Sequence, residues 1–183
     1  MYKKTSDLRS PKLRWIVELA IFAMLGTLMF VSKLVMSLLP NIHIVGVLTV
    51  VYTLVFRKKA LIPIYVYVFL ELFDVGSFLW WAPNLYIWLI LWGLAMLIPK
   101  RTPLPVAAVL CVIICGFHGF AYGTLWAPVQ AVMFSLSFEQ MLTWIAFGLP
   151  FDITHGISNL ALGTLITPLA IALRSALKSI RLK

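Results

Sequence analysis

The stretch that decides the fold is the first one, MYKKTSDLRSPKLRWIVELAIFAMLGTLMFVSKLVMSLLP, Met1 to Pro40. Five cations (Lys3, Lys4, Arg9, Lys12 and Arg14) precede an apolar run from Trp15 to Leu39, which Pro40-Asn41 ends. A helix that crosses ~30 Å of hydrocarbon needs about 20 predominantly apolar residues, and this run has that length. A secretory signal has a shorter apolar core and a small-residue exit of the A-x-A kind. The run has neither, so it reads as a retained first membrane helix.

Composition carries the same reading outward. Of 183 residues, 62% are apolar and 11% charged, and the mean hydropathy is +1.01. A soluble domain carries roughly 25% charged residues, so this chain has too little polar surface to cover itself in water and no room for a separate catalytic module. The predicted fold class is all-α, an integral membrane six-helix bundle forming one domain over residues 1–183. Punctuation by Pro, Asn and cations places the spans at about 14–39, 42–56, 60–79, 84–98, 105–126 and 151–173. The second and fourth are short for a bilayer, which calls for shelter by neighbours. Residues 127–150 are apolar but interrupted by Pro128, Ser135, Ser137, Glu139 and Gln140. They read as a segment capping the outer face, with a short helix from about Ser137 to Phe147.

Charge distribution gives the orientation. The formal charge is +9, yet the 15 basic residues cluster at the ends of apolar runs, and no arginine-rich face of the duplex-reading kind is present. Nucleic acid is therefore not an expected partner; the lipid bilayer is. With the N-terminus inside, the regions Met1–Arg14, Arg57–Lys59, Lys100–Arg101 and the C-terminal tail hold every cation except Lys33. Cytoplasmic loops carry such an excess. The expectation is a multi-pass protein of the bacterial plasma membrane with both termini cytoplasmic. A seventh span through 127–150 would put the basic tail outside.

Ionisable groups within a span cost about 2.5–3.5 kcal/mol each on insertion scales, so the few present ask for a reason. Asp7 and Glu18 lie at the inner face, solvated or paired with local cations. Glu71, Asp74, Glu139 and Asp152 lie in the outer half or beyond, together with Lys33, Asn41, His43, Asn84, Tyr86, Tyr122, Trp126, His155, Asn159 and the segment Trp80-Trp81-Ala82-Pro83-Asn84-Leu85-Tyr86-Ile87-Trp88. Rings that supply flat contact, with a few polar groups to fix orientation, describe a small-molecule pocket; an interfacial aromatic belt is the other reading of the tryptophans. The expected ligand-contacting set is Lys33, Asn41, His43, Glu71, Asp74, Trp81, Asn84, Tyr86, Asp152, His155 and Asn159. Glu71 and Asp74 share a helix face, with Lys33 as their expected partner, or else Lys33 snorkels to the headgroups and the acids form a helix-end pair. His118, mid-span, reads as a hydrogen-bonded packer. Cys111 and Cys115, four apart in an apolar run, read as reduced small packers. No metal site is expected, since no histidine pair has H-x-x-x-H spacing.

Small residues in the first helix (Ala20, Ala23, Gly26 and Thr27) form a stripe where another helix of this chain or a partner subunit can approach closely. The chain contains no G-x-x-x-x-G-K-[ST] phosphate loop and no G-x-S-x-G or H-E-x-x-H motif. Enzymatic activity is not expected.

On Lys33–Val47 (KLVMSLLPNIHIVGV), Arg57-Lys58-Lys59-Ala60-Leu61, Trp80–Trp88 (WWAPNLYIW) and Pro150–Leu160 (PFDITHGISNL), the chain resembles the substrate-binding S components of energy-coupling factor (ECF) vitamin transporters. The likeness covers nearly the whole chain and has no short diagnostic signature. The family's A-x-x-x-A docking motif on the first helix is not matched strictly, and Ala23 to Thr27 is the nearest small-x-x-x-small pair. The resemblance implies a six-helix protein that captures a vitamin from outside. It then docks through Ala20, Ala23, Gly26 and Thr27 on a transmembrane coupling subunit that carries two cytoplasmic ATPases, and topples to carry the pocket inward. No cofactor is bound permanently; the vitamin is the transported ligand. Few pocket charges and many tryptophans suit a bulky neutral molecule, cobalamin first, since the chain is similar to the cobalamin-specific type. Riboflavin, pantothenate and folate are the alternatives, the two acids needing Lys33 for their carboxylates. Two other classes compete: a stand-alone proton-coupled carrier using Glu71 or Asp74, and a membrane enzyme or assembly factor acting on a lipid through His155 and Asp152.

Overall fold

The computed structural model describes residues 11–179, so the cations expected at Lys3, Lys4, Arg9, Arg181 and Lys183, together with Asp7, lie outside the described residues. Within them the chain is all helical, without strands: α1 Pro11–Val35, α2 Val45–Phe56, α3 Leu61–Val75, α4 Phe78–Trp81, α5 Asn84–Met96, α6 Leu104–Phe120, α7 Tyr122–Met133, α8 Phe138–Gly163 and α9 Ile166–Ser179. Three stretches are long and apolar enough to cross a membrane: Pro11–Val35, Phe78–Met96 and Leu104–Met133. The pair α8 and α9, bent by 52° at Thr164–Leu165, makes a fourth when taken as one broken span.

The core is built around α2. A helix apolar on every side is normally a buried one, and all of α2 except Leu54 and Phe56 is buried. Its valines and threonines are stiff, poor helix formers, so packing against α1, α5, α6, α8 and α9 sustains it. The Thr49 and Thr53 hydroxyls bond back to the Val45 and Thr49 carbonyls at 2.9 and 2.7 Å, which satisfies them without a partner on another helix. At 12 residues it is about 18 Å long, shorter than a bilayer. The surface of the bundle is the reverse of this interior: Trp15, Met24, Phe73, Phe117, Val132 and Phe147 are all more than half exposed. Apolar exposure on that scale marks a surface made for lipid or another protein.

The helices differ from the expected segments where local chemistry intervenes. The third segment stops at Val75 because Gly76 takes the left-handed C-cap, φ +65°, and its N–H reaches the Leu72 carbonyl. The fourth gains a preceding single turn, α4. The proposed cap over 127–150 is not a separate element. Its first part is the end of α7, and its second part is the start of α8, which continues through Pro150 to Gly163. The start of α8 is fixed by a capping box: Gln140 N–H donates to Ser137 Oγ at 3.2 Å, and Ser137 N–H donates to Gln140 Oε1 at 2.8 Å.

Two ends of the bundle have opposite characters. At one end the cations cap helix C-termini, whose last carbonyls lack helical partners. The Arg57 guanidinium donates to the Met96 and Ile98 carbonyls at 2.7 and 3.1 Å, closing α5, and Arg174 donates to the Leu54 carbonyl at 2.9 Å, closing α2. Lys59 pairs with Glu18 at 2.7 Å at the same end. The other end holds the polar and aromatic groups described below.

The small-residue stripe of α1 divides. Gly26 is buried where α1 crosses α3; a Cβ there would lie 2.5 Å from Val66 Cβ and 2.7 Å from the Pro63 carbonyl oxygen. Ala20, Ala23 and Thr27 stay exposed among the described residues, so of the four only Gly26 serves the bundle's own packing. Gly26→Ala is expected to destabilise the fold by roughly 1–3 kcal/mol through overpacking. Gly93→Ala, where nothing lies within 4 Å of the new Cβ, is expected to leave stability unchanged or raise it. Thermal unfolding in detergent compares the two; equal effects would mean that α1 and α3 do not approach this closely.

Candidate functional site

The site grows from one face of α3. Tyr67, Glu71 and Asp74 follow one another at helical spacing, so they line up on one side of the helix. Lys33, in the last turn of α1, lies between the two acids: its Nζ is 2.7 Å from Glu71 Oε1 and 3.0 Å from Asp74 Oδ2. Glu71 is buried, Asp74 about one-third exposed. An ammonium has three donors, and two of them are taken here.

Beside this bridge is a cavity of about 350 Å³. The connection from Met36 to His43 closes one side of it, held by a hydrogen bond from Ser158 Oγ to the Asn41 carbonyl at 3.2 Å. Asn41 turns that connection with φ +61°, a left-handed conformation that Asn tolerates better than most residues. α3 contributes Tyr67 and Glu71, α4 Trp80, α5 Asn84 and Trp88, α7 Tyr122 and Trp126, and α8 His155. The rings form a continuous wall. His43 stands 4.8 Å from His155, His155 4.8 Å from Tyr122, Tyr122 5.9 Å from Trp88 and 6.5 Å from Trp126, and Trp126 is stacked 5.8 Å from Trp80. Such separations are those of favourable aromatic pairs.

Five polar atoms in this wall have no hydrogen-bond partner among the described residues: Glu71 Oε2, His43 Nδ1, Trp88 Nε1, Trp126 Nε1 and His155 Nε2. The Tyr67 hydroxyl stands beside the Glu71 carboxylate. Leaving a buried polar atom unpaired costs about 1–3 kcal/mol, so five around one space mark a place built to receive polar groups. A cleft of about 610 Å³ at the opposite end is larger, with Arg57, Lys100, Thr102 and Arg174 in its lining. The Arg57 and Arg174 guanidiniums there are already bonded to carbonyls, and no residue lining it holds an unpaired buried polar atom.

Of the eleven residues expected from sequence, the structure brings Lys33, Asn41, His43, Glu71, Asn84 and His155 to the cavity. Asp74 reaches it only through Lys33. Trp81 is corrected to its neighbour: successive residues on a helix point about 100° apart, so only one of the two tryptophans in the single turn α4 faces the cavity, and that one is Trp80. Trp81 is buried, donating its indole N–H to the Val68 carbonyl at 2.6 Å. Tyr86 donates its hydroxyl to the Leu125 carbonyl, Asp152 accepts from the Gly123 N–H at 2.8 Å and Asn159 donates to the Cys115 carbonyl at 3.2 Å; all three are struts between helices. Asp152 thus does not line the cavity with His155. His118 bonds to the Ile87 carbonyl at 3.1 Å. Cys111 and Cys115 are free and buried. Among the described residues no three His, Cys, Asp or Glu side chains gather where a metal ion would bind.

Tyr67, Trp80, Trp88, Tyr122 and Trp126 complete the wall and were not in the expected ligand set. For Tyr67 the signal was available, one turn before Glu71 on the same face. No family model, curated protein or solved structure matches this chain.

Two measurements check the site's electrostatics. Removing one member of a buried ion pair leaves the other uncompensated, at about 3–5 kcal/mol. Because Asp74 is partly hydrated, Lys33→Met is expected near the low end, about 3 kcal/mol, with most of the loss recovered on adding Glu71→Gln. A double-mutant cycle of unfolding free energies tests the coupling, and additive losses would refute it. Burial first, and then the Lys33 ammonium, holds the His43 imidazole down to about 4, against 6.5 for the free side chain. The unfolded chain takes up that proton at the higher pH, so the stability His43 contributes is complete above pH 6.5 and lost as pH falls toward 4. His43→Gln is expected to flatten that acid limb of the thermal-midpoint profile.

Proposed function

We propose that the chain is a multi-pass protein of the bacterial plasma membrane, with both termini in the cytosol, that acts as a vitamin-capturing S component of an ECF-type transporter. The observation that carries this reading is the opposition of the two ends. Arg14, Lys58, Lys59, Lys100, Arg101 and Lys178 gather with Arg57 and Arg174 at one end, as the positive-inside pattern requires of a cytoplasmic face. The ring-lined cavity with its unpaired polar atoms lies at the other. A pocket opening away from the cytosol, in a chain without a phosphate loop, suits a protein that binds outside and relies on other subunits for energy.

The six-pass reading counts α1, α2, α3, α4–α5, α6–α7 and α8–α9 once each, beyond the three or four stretches long and apolar enough to cross by themselves. The short pair α2 and α3 is sheltered by α1, α5 and α9. Exposed Ala20, Ala23 and Thr27 offer the coupling subunit a face where helices approach closely.

Size and charge narrow the ligand. A cavity of about 350 Å³ is at the lower end of pockets that enclose drug-sized molecules. Cobalamin, with its corrin ring and nucleotide tail, is several times larger, so a smaller vitamin such as riboflavin fits better. Folate and pantothenate bring carboxylates, and the one cation lining the cavity among the described residues, Lys33, already serves two carboxylates. The same bridge bears on the proton-carrier alternative, since it ties the two candidate carboxylates to Lys33.

The test is purification from native membranes with mild detergent. A coupling membrane protein and two ATPases are expected to travel with the chain, mass spectrometry is expected to find a vitamin-sized molecule bound, and uptake is expected to stop when the ATPases are inactivated. Transport by the chain alone in liposomes under a pH gradient would replace this reading with the proton-coupled carrier.

A further inference from the structure

We infer that the ligand is a small planar nitrogen heterocycle carrying positive charge, seated with its cationic part toward Glu71 and its ring against Trp88, Tyr122 and Trp126. This rests on the capture reading above and names the ligand's chemical class.

The first ground is charge. Around the cavity Lys33 brings one positive charge, and Glu71 and Asp74 bring two negative ones, so the bridge carries a formal excess of one negative charge before any ligand enters. The excess has an address. Oε1 of Glu71 is held by Lys33, while Oε2 of the same carboxylate has no partner among the described residues, in a residue only 4% exposed. A buried carboxylate oxygen accepts hydrogen bonds and donates none, and it favours a positive neighbour where water is scarce.

The second ground is the wall. Trp88 and His155 are 1% and 2% exposed, each with one unpaired ring nitrogen at the cavity. Trp88 Nε1 is a donor only, while an imidazole nitrogen donates or accepts according to tautomer, so the ring a ligand presents here meets polar partners suited to a heterocycle. The faces of Trp and Tyr attract cations, and five Trp or Tyr rings line this one space. Carboxylate and aromatic faces therefore favour the same charge. An anionic ligand would face the unpaired Glu71 oxygen, and a neutral one would leave it uncompensated.

The experiment uses the full chain in detergent and reads quenching of the cavity tryptophans, with thiamine as a fixed-cation heterocycle, riboflavin as a neutral one and pantothenate as an anion. Thiamine is expected to bind at least about tenfold tighter than the other two. Glu71→Gln is expected to weaken it by about tenfold or more, the equivalent of one charge-assisted hydrogen bond. Wild-type protein alone can overturn the inference, whatever the variant's stability: tighter binding of riboflavin or pantothenate, or a neutral or anionic molecule co-purifying, rejects the cation and leaves capture standing. If none of the three binds and no small molecule co-purifies, capture itself fails and the inference falls with it.

Discussion

The bridge from Lys33 to Glu71 and Asp74 joins the final turn of α1 to the final turns of α3, at the rim of the cavity. It depends on α1 lying close along α3, which Gly26 permits by presenting no Cβ to Val66 and Pro63. It also sets the charge at the rim of the cavity. One ammonium is shared by two carboxylates, and Glu71 Oε2 is left without a partner among the described residues. Helix contact and local charge are thus two consequences of one arrangement. A bulkier residue at 26 would force apart the helices whose ends carry the bridge.

The cations of the opposite end have two roles that reinforce one another. A helix end in a medium poor in water must find partners for its last carbonyls, and Arg57 and Arg174 supply them for α5 and α2. Arg57 is the more committed of the two. It adopts φ +57° at the reversal between α2 and α3, and its carbonyl accepts the Trp92 indole N–H at 3.1 Å. A residue that reads in sequence as part of a plain basic triplet is therefore the fastener of that turn. Cations placed at helix C-termini also oppose the helix dipole favourably, so the charge asymmetry that orients a membrane chain stabilises this fold as well.

Helical class and the approximate segments were legible in the sequence, because apolar runs of spanning length and their Pro, Gly and basic punctuation are local signals. Three features were not legible, each for a physical reason. Residues 127–150 look interrupted, yet Pro150 sits inside a continuous helix and Ser137 with Gln140 starts it. A capping box marks a helix start, and nothing comparable marks its end before Gly163. The choice between Trp80 and Trp81 depends on the phase of a single turn, which the alternation of neighbouring residues does not fix. The roles of Asp152, Asn159 and Tyr86 depend on backbone groups of α6 and α7, far away in sequence. Lys33, Glu71, His43 and His155 were readable because an ionisable or imidazole group in an apolar run is costly wherever it falls.

α8 shows how such groups separate into scaffold and site. Asp152, His155, Ser158 and Asn159 lie within two turns of one helix and all are buried. Asp152 satisfies a backbone N–H of α7, the single Ser158 hydroxyl proton is shared between the Asn41 and His155 carbonyls, and Asn159 donates to a carbonyl of α6. His155 Nε2 is matched to nothing among the described residues. The three matched groups draw α6, α7 and the Met36–His43 connection onto α8, and that closure is what surrounds His155 with rings. On α8, then, Asp152, Ser158 and Asn159 bond to backbone and hold the enclosure together while His155 lines it, and because all four are buried, burial alone could not have distinguished one kind from the other.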